Sequence, residues 1–232
     1  MKLKKNDQDT GFVLSITPYR ESDAMVHFFG EKIGLVRFVL AGYYKPQSKQ
    51  SRLGIEFSKV KLMFNYKENS LMRIQSGELL ESYYDKREEY NWLVYMSLVS
   101  EILVKLYQNN QQSFWLSFIQ SVYKRPTQNN LLLEVVKIIK ESGITPVVDY
   151  CVVSGSQKIS DFSIEHGGFV SKAYRKTNLN LEQLKQIRSL FKGDLTESMI
   201  EDKDAVILDL CIRYIEIHMD VKFNSWKLYY DV

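Results

Sequence analysis

Two short runs in the chain have residue types and spacings that suit metal binding. Cys151-Val-Val-Ser154-Gly155 and Gly167-Gly-Phe-Val-Ser171-Lys-Ala-Tyr174 read as a pair of zinc knuckles, CxxCG and GGxVCxxC, in which three positions have changed. Only Cys151 is a thiol; the other places hold Ser154, Ser171 and Tyr174. A structural zinc takes four ligands, mostly thiolates and imidazoles, and a serine hydroxyl is a poor substitute. Asp149, Asp161, Glu165 and His166 lie close in sequence but do not restore two pairs. The expectation is a zinc-finger-like insert that binds no metal, with its hairpin glycines kept and Cys151 serving as a small buried side chain. Apolar packing by Val152, Val153, Phe162, Ile164, Phe169 and Val170 would then replace the metal.

The other candidates for chemistry stand alone. His27, His166 and His218 have no partner at a recognisable spacing. Glu21 and Asp23, two apart in YRESD, have the spacing for a metal-dependent nuclease. A turn closed by hydrogen bonds from Ser22 and Asp23 accounts for them better. No phosphate-binding GxxxxGK[ST], GxSxG elbow or HExxH is present. The sequence therefore points away from an enzyme and calls for no cofactor.

Charge is more informative. Residues 1–80 hold 13 Lys and Arg against 8 Asp and Glu, while the remainder is slightly acidic, within a total of +3. Arg37, Lys45, Lys49, Arg52, Lys59, Lys61 and Lys67 face only Glu56 between 36 and 67. A basic segment in a nearly neutral protein suggests a polyanion-binding surface. Lys45, Lys49 and Arg52 fall on a polar loop, with Arg37 on the strand before it. Lys59 and Lys61 fall on the strand after, on one face by their spacing. Tyr43 and Tyr44 adjoin the loop; they either stack bases, worth ~1–3 kcal/mol each, or pack the rim. Backbone contacts with little base readout are expected.

The elements that must position these groups change character along the chain. Residues 11–20, 24–30, 35–42, 56–66 and 70–80 read as strands, with turn signals between them and a bulge near Ser58. Five short strands in about 80 residues suggest a small barrel. Helical periodicity then runs over 88–107, 112–124 and 131–142, stopping at Gly143 and Pro146. An aperiodic stretch at about 144–178 follows. Asn180 and Gln183 form a capping box for a helix over 181–191, and a long final helix covers about 203–221. The expected division is a barrel domain at 1–82 and a helical domain at 83–232 that carries the insert. Two cysteines suit a reducing compartment, and no signal core or membrane-length apolar run is evident. A cytoplasmic, nucleoid-associated protein is expected.

Taken in order, these stretches resemble the bacterial recombination mediator family RecO. The resemblance rests on GFVLSITPYRESDAMVHFF with GLVRFVLAG, including Tyr19, Glu21 and Asp23 as a Y-x-E-x-D turn. It continues through the Lys45–Arg52 loop, SGELLESY at 76–83 and GITPVVDYCVVSG…GGFV at 143–170. Two departures are the lost cysteines and the closing KLYYDV, where the family would carry a basic tail. The resemblance implies an α+β chain: a five-stranded OB-fold followed by an α-helical domain with the zinc-finger-like insert. It implies a non-enzymatic mediator that binds single- and double-stranded DNA and anneals complementary strands. Its partners would be RecR and the acidic, apolar-ended tail of the single-strand binding protein SSB, so that RecA loads on SSB-coated DNA. For that tail the helical domain offers Lys105, Lys137, Lys140, Lys185 and Arg188. A generic OB-fold module for RNA or DNA, and a protein-interaction adaptor, are the alternatives.

Overall fold

The computed structural model describes residues 7–65, 71–83, 86–177, 179–201 and 205–230. They form two compact units, 1–116 and 117–232. The first is built on five strands: β1 (Asp7–Tyr19), β2 (Asp23–Gly30), β3 (Gly34–Leu40), β4 (Lys59–Asn65) and β5 (Met72–Glu81). They close into a barrel in the order β1-β2-β3-β5-β4, with β4 returning to β1. This is the OB-fold expected from the sequence. β1 serves two neighbours, pairing with β4 from Asp7 to Phe12 and with β2 from Gly11 to Tyr19. A register step between Val13 and Ser15 lets it bend between them. Every pairing is antiparallel except β3 with β5, joined at Phe38–Met72 and Val39–Arg73.

Alternation decides what fills the barrel. Val26 and Phe28 of β2, Phe38 and Leu40 of β3, Val60, Leu62 and Phe64 of β4 and Ile74 of β5 form one buried cluster. Phe38 lies against both Phe28 and Phe64, with ring centroids 5.8 and 4.9 Å apart. The expected bulge near Ser58 is present as a register step between Lys59 and Val60 in the β4–β5 pairing, and a tight turn precedes it. Phe57 takes a positive φ of 60°, and the Ser58 hydroxyl donates to the Ile55 carbonyl at 2.6 Å. Asp9 is buried beneath the β2–β3 turn and accepts the amides of Lys32 and Ile33 at 2.9 and 3.0 Å. Helix α1 (Tyr90–Leu106) belongs to this unit. Trp92 meets Phe57 edge-on at 5.8 Å, and Tyr107 meets Phe29 at 5.5 Å.

The second unit is helical. The boundary between units falls within α2 (Gln112–Lys124), and α3 (Gln128–Glu141), α4 (Leu181–Lys192), α5 (Val206–His218) and α6 (Asn224–Tyr230) follow. Ser121 donates to buried Glu134 at 2.7 Å, and Asn130 donates to the Arg125 carbonyl at 3.0 Å, fixing the α2–α3 corner. The capping box at Asn180 and Gln183 is formed, with both bonds 2.9 Å. The last helix is shorter than its periodicity suggested. It stops at His218, Asp220 turns into the left-handed region at φ 50°, and a separate α6 follows. The first residue expected in that helix, Lys203, lies outside the described residues. No helix among the described residues is long and apolar enough to cross a membrane.

Between α3 and α4 the insert is a small sheet, β6 (Asp161–Ser163) against β7 (Gly168–Val170), with Val147 bridging to Gly168. A Cβ on Gly168 would stand 2.3 Å from the Val147 carbonyl oxygen, so only glycine permits that approach. Phe162, Phe169 and Val170 are fully buried, as expected, whereas Val153 is 41% exposed. Buried Asp161 accepts the amides of Lys176 and Thr177 at 2.9 and 2.6 Å, and also the Thr177 hydroxyl. That carboxylate ties the end of the insert to its sheet, a task that a metal performs in a zinc finger. Asp161→Ala strands three donors. The expected result is a loss of about 3 kcal/mol in denaturant unfolding, with no change in the wild-type midpoint on adding a chelator.

Candidate nucleic-acid interface

The connection 41–58 carries exposed basic residues, and the β1–β2 turn holds it. Asp23 accepts the Gly42 amide at 2.8 Å, and the Ser22 carbonyl accepts the Tyr44 amide at 3.0 Å. The Y-x-E-x-D segment is therefore a fastening for this loop, and Glu21 stays exposed. Successive turns follow, Lys45 N–H to the Gly42 carbonyl and Ser48 N–H to the Lys45 carbonyl. A single 3-10 turn at Ser51–Gly54 inserts Leu53 into the barrel core. Lys45, Lys49 and Arg52 point to solvent, and none is ion-paired among the described residues.

The Tyr43 hydroxyl donates to the Gly54 carbonyl at 3.1 Å, and its ring lies where a Cβ on residue 54 would be, 2.4 Å away. It is rim packing. Tyr44 is 48% exposed and meets Tyr43 edge-on at 4.8 Å, leaving a face for stacking. Around them opens a cleft of about 550 Å³ lined by Ile16, Ile55, Leu79, Arg52, Arg87 and Glu56. Sequence reasoning missed Arg87 and Glu56 as site residues, because the cleft joins β1, the loop, β5 and the segment after it.

The remaining basic residues lie elsewhere on the barrel. Lys59 and Lys61 share the outer face of β4, as their spacing predicted. Lys59 lies 3.6 Å from the Glu31 carboxylate and 5.6 Å from the Phe12 ring centroid, while Lys61 is in register with Thr10 and Glu78. Arg37 is exposed on the outer face of β3, two strands away from β4. On the adjoining strand Arg73 pairs with Val39, two residues along from Arg37, and sequence reasoning also missed it. The alternation of Met72 and Ile74 inward marks Arg73 as outward, but the parallel pairing carries no local signal. Lys67 lies outside the described residues. The expected cluster is thus three groups: Arg37 with Arg73, the 43–56 loop, and a partly neutralised pair on β4.

Arg37 also faces His27 across the β2–β3 pair. The His27 Nδ1 lies 3.0 Å from the Ser15 hydroxyl. Burial and then the nearby Arg37 charge hold the imidazole below its usual range.

In the second unit the knuckle-like segment around Cys151 is held by backbone contacts. The Ser154 and Ser171 amides both approach the Cys151 sulfur, at 3.4 and 3.2 Å. Burial raises the thiol's pKa, yet these contacts and the serine hydroxyls outweigh it and hold the thiol at about 6. Tyr174 turns outward, its ring 6.4 Å from His166. One thiol, two hydroxyls and an outward phenol do not fit zinc. Among the described residues no group of three His, Cys, Asp or Glu side chains could hold a metal.

Beneath β6 and beside α5 and α6 lies an apolar pocket of about 510 Å³, with Phe162, Ile217, Phe223 and Trp226 in its lining and Lys176, Arg213 and Lys227 among its cations. Lys176 pairs with Glu165 and Arg213 with Asp209, whereas Lys227 has no ion pair among the described residues. None of Lys105, Lys137, Lys140, Lys185 and Arg188 lines it. Lys105, Lys137 and Lys185 pair with carboxylates on their own helices, and Lys140 and Arg188 donate to carbonyls.

Residues 1–83 match the family described as Recombination protein O N terminal. Curated relatives named DNA repair protein RecO align beyond that domain. That of Oceanobacillus iheyensis is 29% identical over 167 residues, 69% of this chain and 64% of its own length. That of Halalkalibacterium halodurans is 25% identical over 169 residues, 70% of this chain and 66% of the relative. That of Listeria monocytogenes is 25% identical over 167 residues, 69% and 65%. The chain spans slightly less than two thirds of the length of each. The barrel is similar to the RecO N-terminal domain, and the resemblance to RecO read from the sequence stands on both findings.

His27 offers a probe of the β3 surface. Arg37→Ala is expected to raise the His27 titration in imidazole NMR, and a phosphate seated at Arg37 in an added oligonucleotide would do the same. With its folded pKa depressed, His27 favours the fold above the ordinary imidazole range and loses that contribution as pH falls through its folded value. No movement of the His27 titration with oligonucleotide places the phosphates elsewhere.

Proposed function

We propose that this chain is a non-enzymatic recombination mediator in DNA repair. In this reading it binds single- and double-stranded DNA and anneals complementary strands. With RecR, it helps RecA load on SSB-coated DNA. The observation that carries the proposal is the row of cations on the 41–58 loop, none ion-paired among the described residues, beside an exposed tyrosine, at the end of a RecO-type barrel. The relatives' name, DNA repair protein RecO, supplies the biological setting. The barrel at 1–82 would be the nucleic-acid-binding domain and 83–232 the helical domain with its insert, in a protein of the cytoplasm close to the nucleoid.

The mechanism follows from charge. Lys45, Lys49 and Arg52 replace counterions on the phosphates, and two strands that share a protein coat repel each other less. Tyr44 offers its face to an unstacked base. Arg37 and Arg73 extend the positive surface along β3 and β5. The β4 lysines contribute less, since Glu31 and Glu78 lie beside them. In the helical unit, the apolar pocket with Lys227 on its rim suits an acidic tail ending in apolar residues, which is the chemistry proposed for SSB.

Fluorescence anisotropy of labelled single-stranded DNA at several salt concentrations tests the proposal. Wild-type affinity should fall steeply with salt. The combined Lys45→Ala, Lys49→Ala and Arg52→Ala variant should flatten the logarithmic slope by roughly two, at about 0.7 per lost phosphate contact. Annealing by the wild type should be insensitive to chelator. An unchanged slope in the folded triple variant would remove the loop from the interface. Tight binding of an acidic peptide with none of DNA would favour an adaptor.

A further inference from the structure

The cleft beside Tyr44 contains a carboxylate, which a surface built only for phosphates has no use for. Glu56 lines it, and its Oε1 accepts the Ile16 amide at 2.8 Å. No other contact engages that side chain among the described residues, which leaves Oε2 as an open acceptor there. The walls are Ile16, Ile55 and Leu79, with Tyr44 at the side and the guanidinium groups of Arg52 and Arg87 lining the same space. Flat apolar walls, a ring face, two cations and one fixed acceptor make up a site for a single nucleotide. At about 550 Å³ the space lies within the range of small-ligand sites.

We propose that this cleft takes one unpaired base, selecting bases with an exocyclic amino group through Glu56 while Arg52 or Arg87 holds the adjoining phosphate. The inference rests on the reading of the barrel as a DNA-binding surface and gives it a base preference that its basic loop alone would lack. A carboxylate can only accept hydrogen bonds, so it favours the amino groups of guanine, adenine and cytosine. Guanine presents two donors side by side, N1–H and the 2-amino group. Thymine presents one N–H between two carbonyl oxygens, which the carboxylate repels. In a duplex these donors already serve the partner strand, so the cleft reads single strands.

The test compares a short thymine-only strand with the same strand carrying one central guanine, and with hypoxanthine at that place, which lacks the 2-amino group. Wild type should bind the guanine strand about fivefold or more tightly than the thymine strand, and hypoxanthine should lose most of that gain. Glu56→Gln keeps an oxygen for the Ile16 amide but can replace the free acceptor with a donor, so the preference should vanish. Only the ratio between strands is read, because removing a negative charge raises affinity for every strand. Equal, salt-sensitive binding of all three strands by wild type would overturn this inference while leaving the DNA-binding reading intact. A guanine preference that survives in Glu56→Gln would equally remove Glu56 from the site. Failure of every strand to bind at low salt would instead remove the DNA-binding reading, and this inference with it.

Discussion

The parallel pairing of β3 with β5 is the constraint on which the N-terminal unit is built. Two residue pairs make it, yet it sets β5 between β3 and β4, which follow one another in sequence. The chain leaving Leu40 therefore cannot turn back as a hairpin and has to travel round the barrel end to reach Lys59. That journey is the 41–58 connection. Leu53 goes inward to complete the apolar core, and the polar residues on either side of it are left facing water. The same crossing brings Glu56 and Arg52 up to Ile16 of β1 and Leu79 of β5. Core closure and cleft are two results of one topological requirement.

Much of this was visible in the residues. Alternation in KVKLMFN and AMVHFFG marked strands with one buried face, because a pleated strand in a barrel must present every second side chain inward. Asn180 with Gln183 marked a helix start for an equally local reason. What escaped was non-local. Arg73 joins Arg37 only through the parallel pairing, and Arg87 joins the cleft from beyond the barrel, so neither proximity leaves a pattern in nearby sequence. The basic run from 37 to 61 looked like one surface because sequence distance is short there. The barrel distributes it over three places, since adjacent strands in sequence can face different directions. The final helix was overextended because its apolar stripe continues past the point where Asp220 reverses the backbone.

The insert shows how N–H contacts and aromatic packing can hold a knuckle-like backbone. Backbone amides still converge on the Cys151 sulfur, so the loop shape owes as much to N–H contacts as to coordination. Two phenylalanines from facing strands, with ring centroids 6.0 Å apart, fill the inside, and Phe162 also meets Tyr214 of α5 at 5.9 Å. Asp161 gathers the far end. Burying a carboxylate is tolerable here because three donors surround it.

The 41–58 loop is fastened on both sides, by Asp23 and Ser22 at its start and by the Phe57 amide to the Val13 carbonyl at its end. Gln50 adds a third hold on the Gln75 carbonyl of β5. A loop restrained in this way has already lost most of its conformational freedom before any ligand arrives. Ordering entropy, which weakens association for a floppy basic arm, is then a small part of the balance. The side chains of Lys45, Lys49 and Arg52 project from a backbone held by these bonds and make no ion pair among the described residues. Such a surface can follow phosphates of varied spacing while holding the adjacent cleft to a single shape.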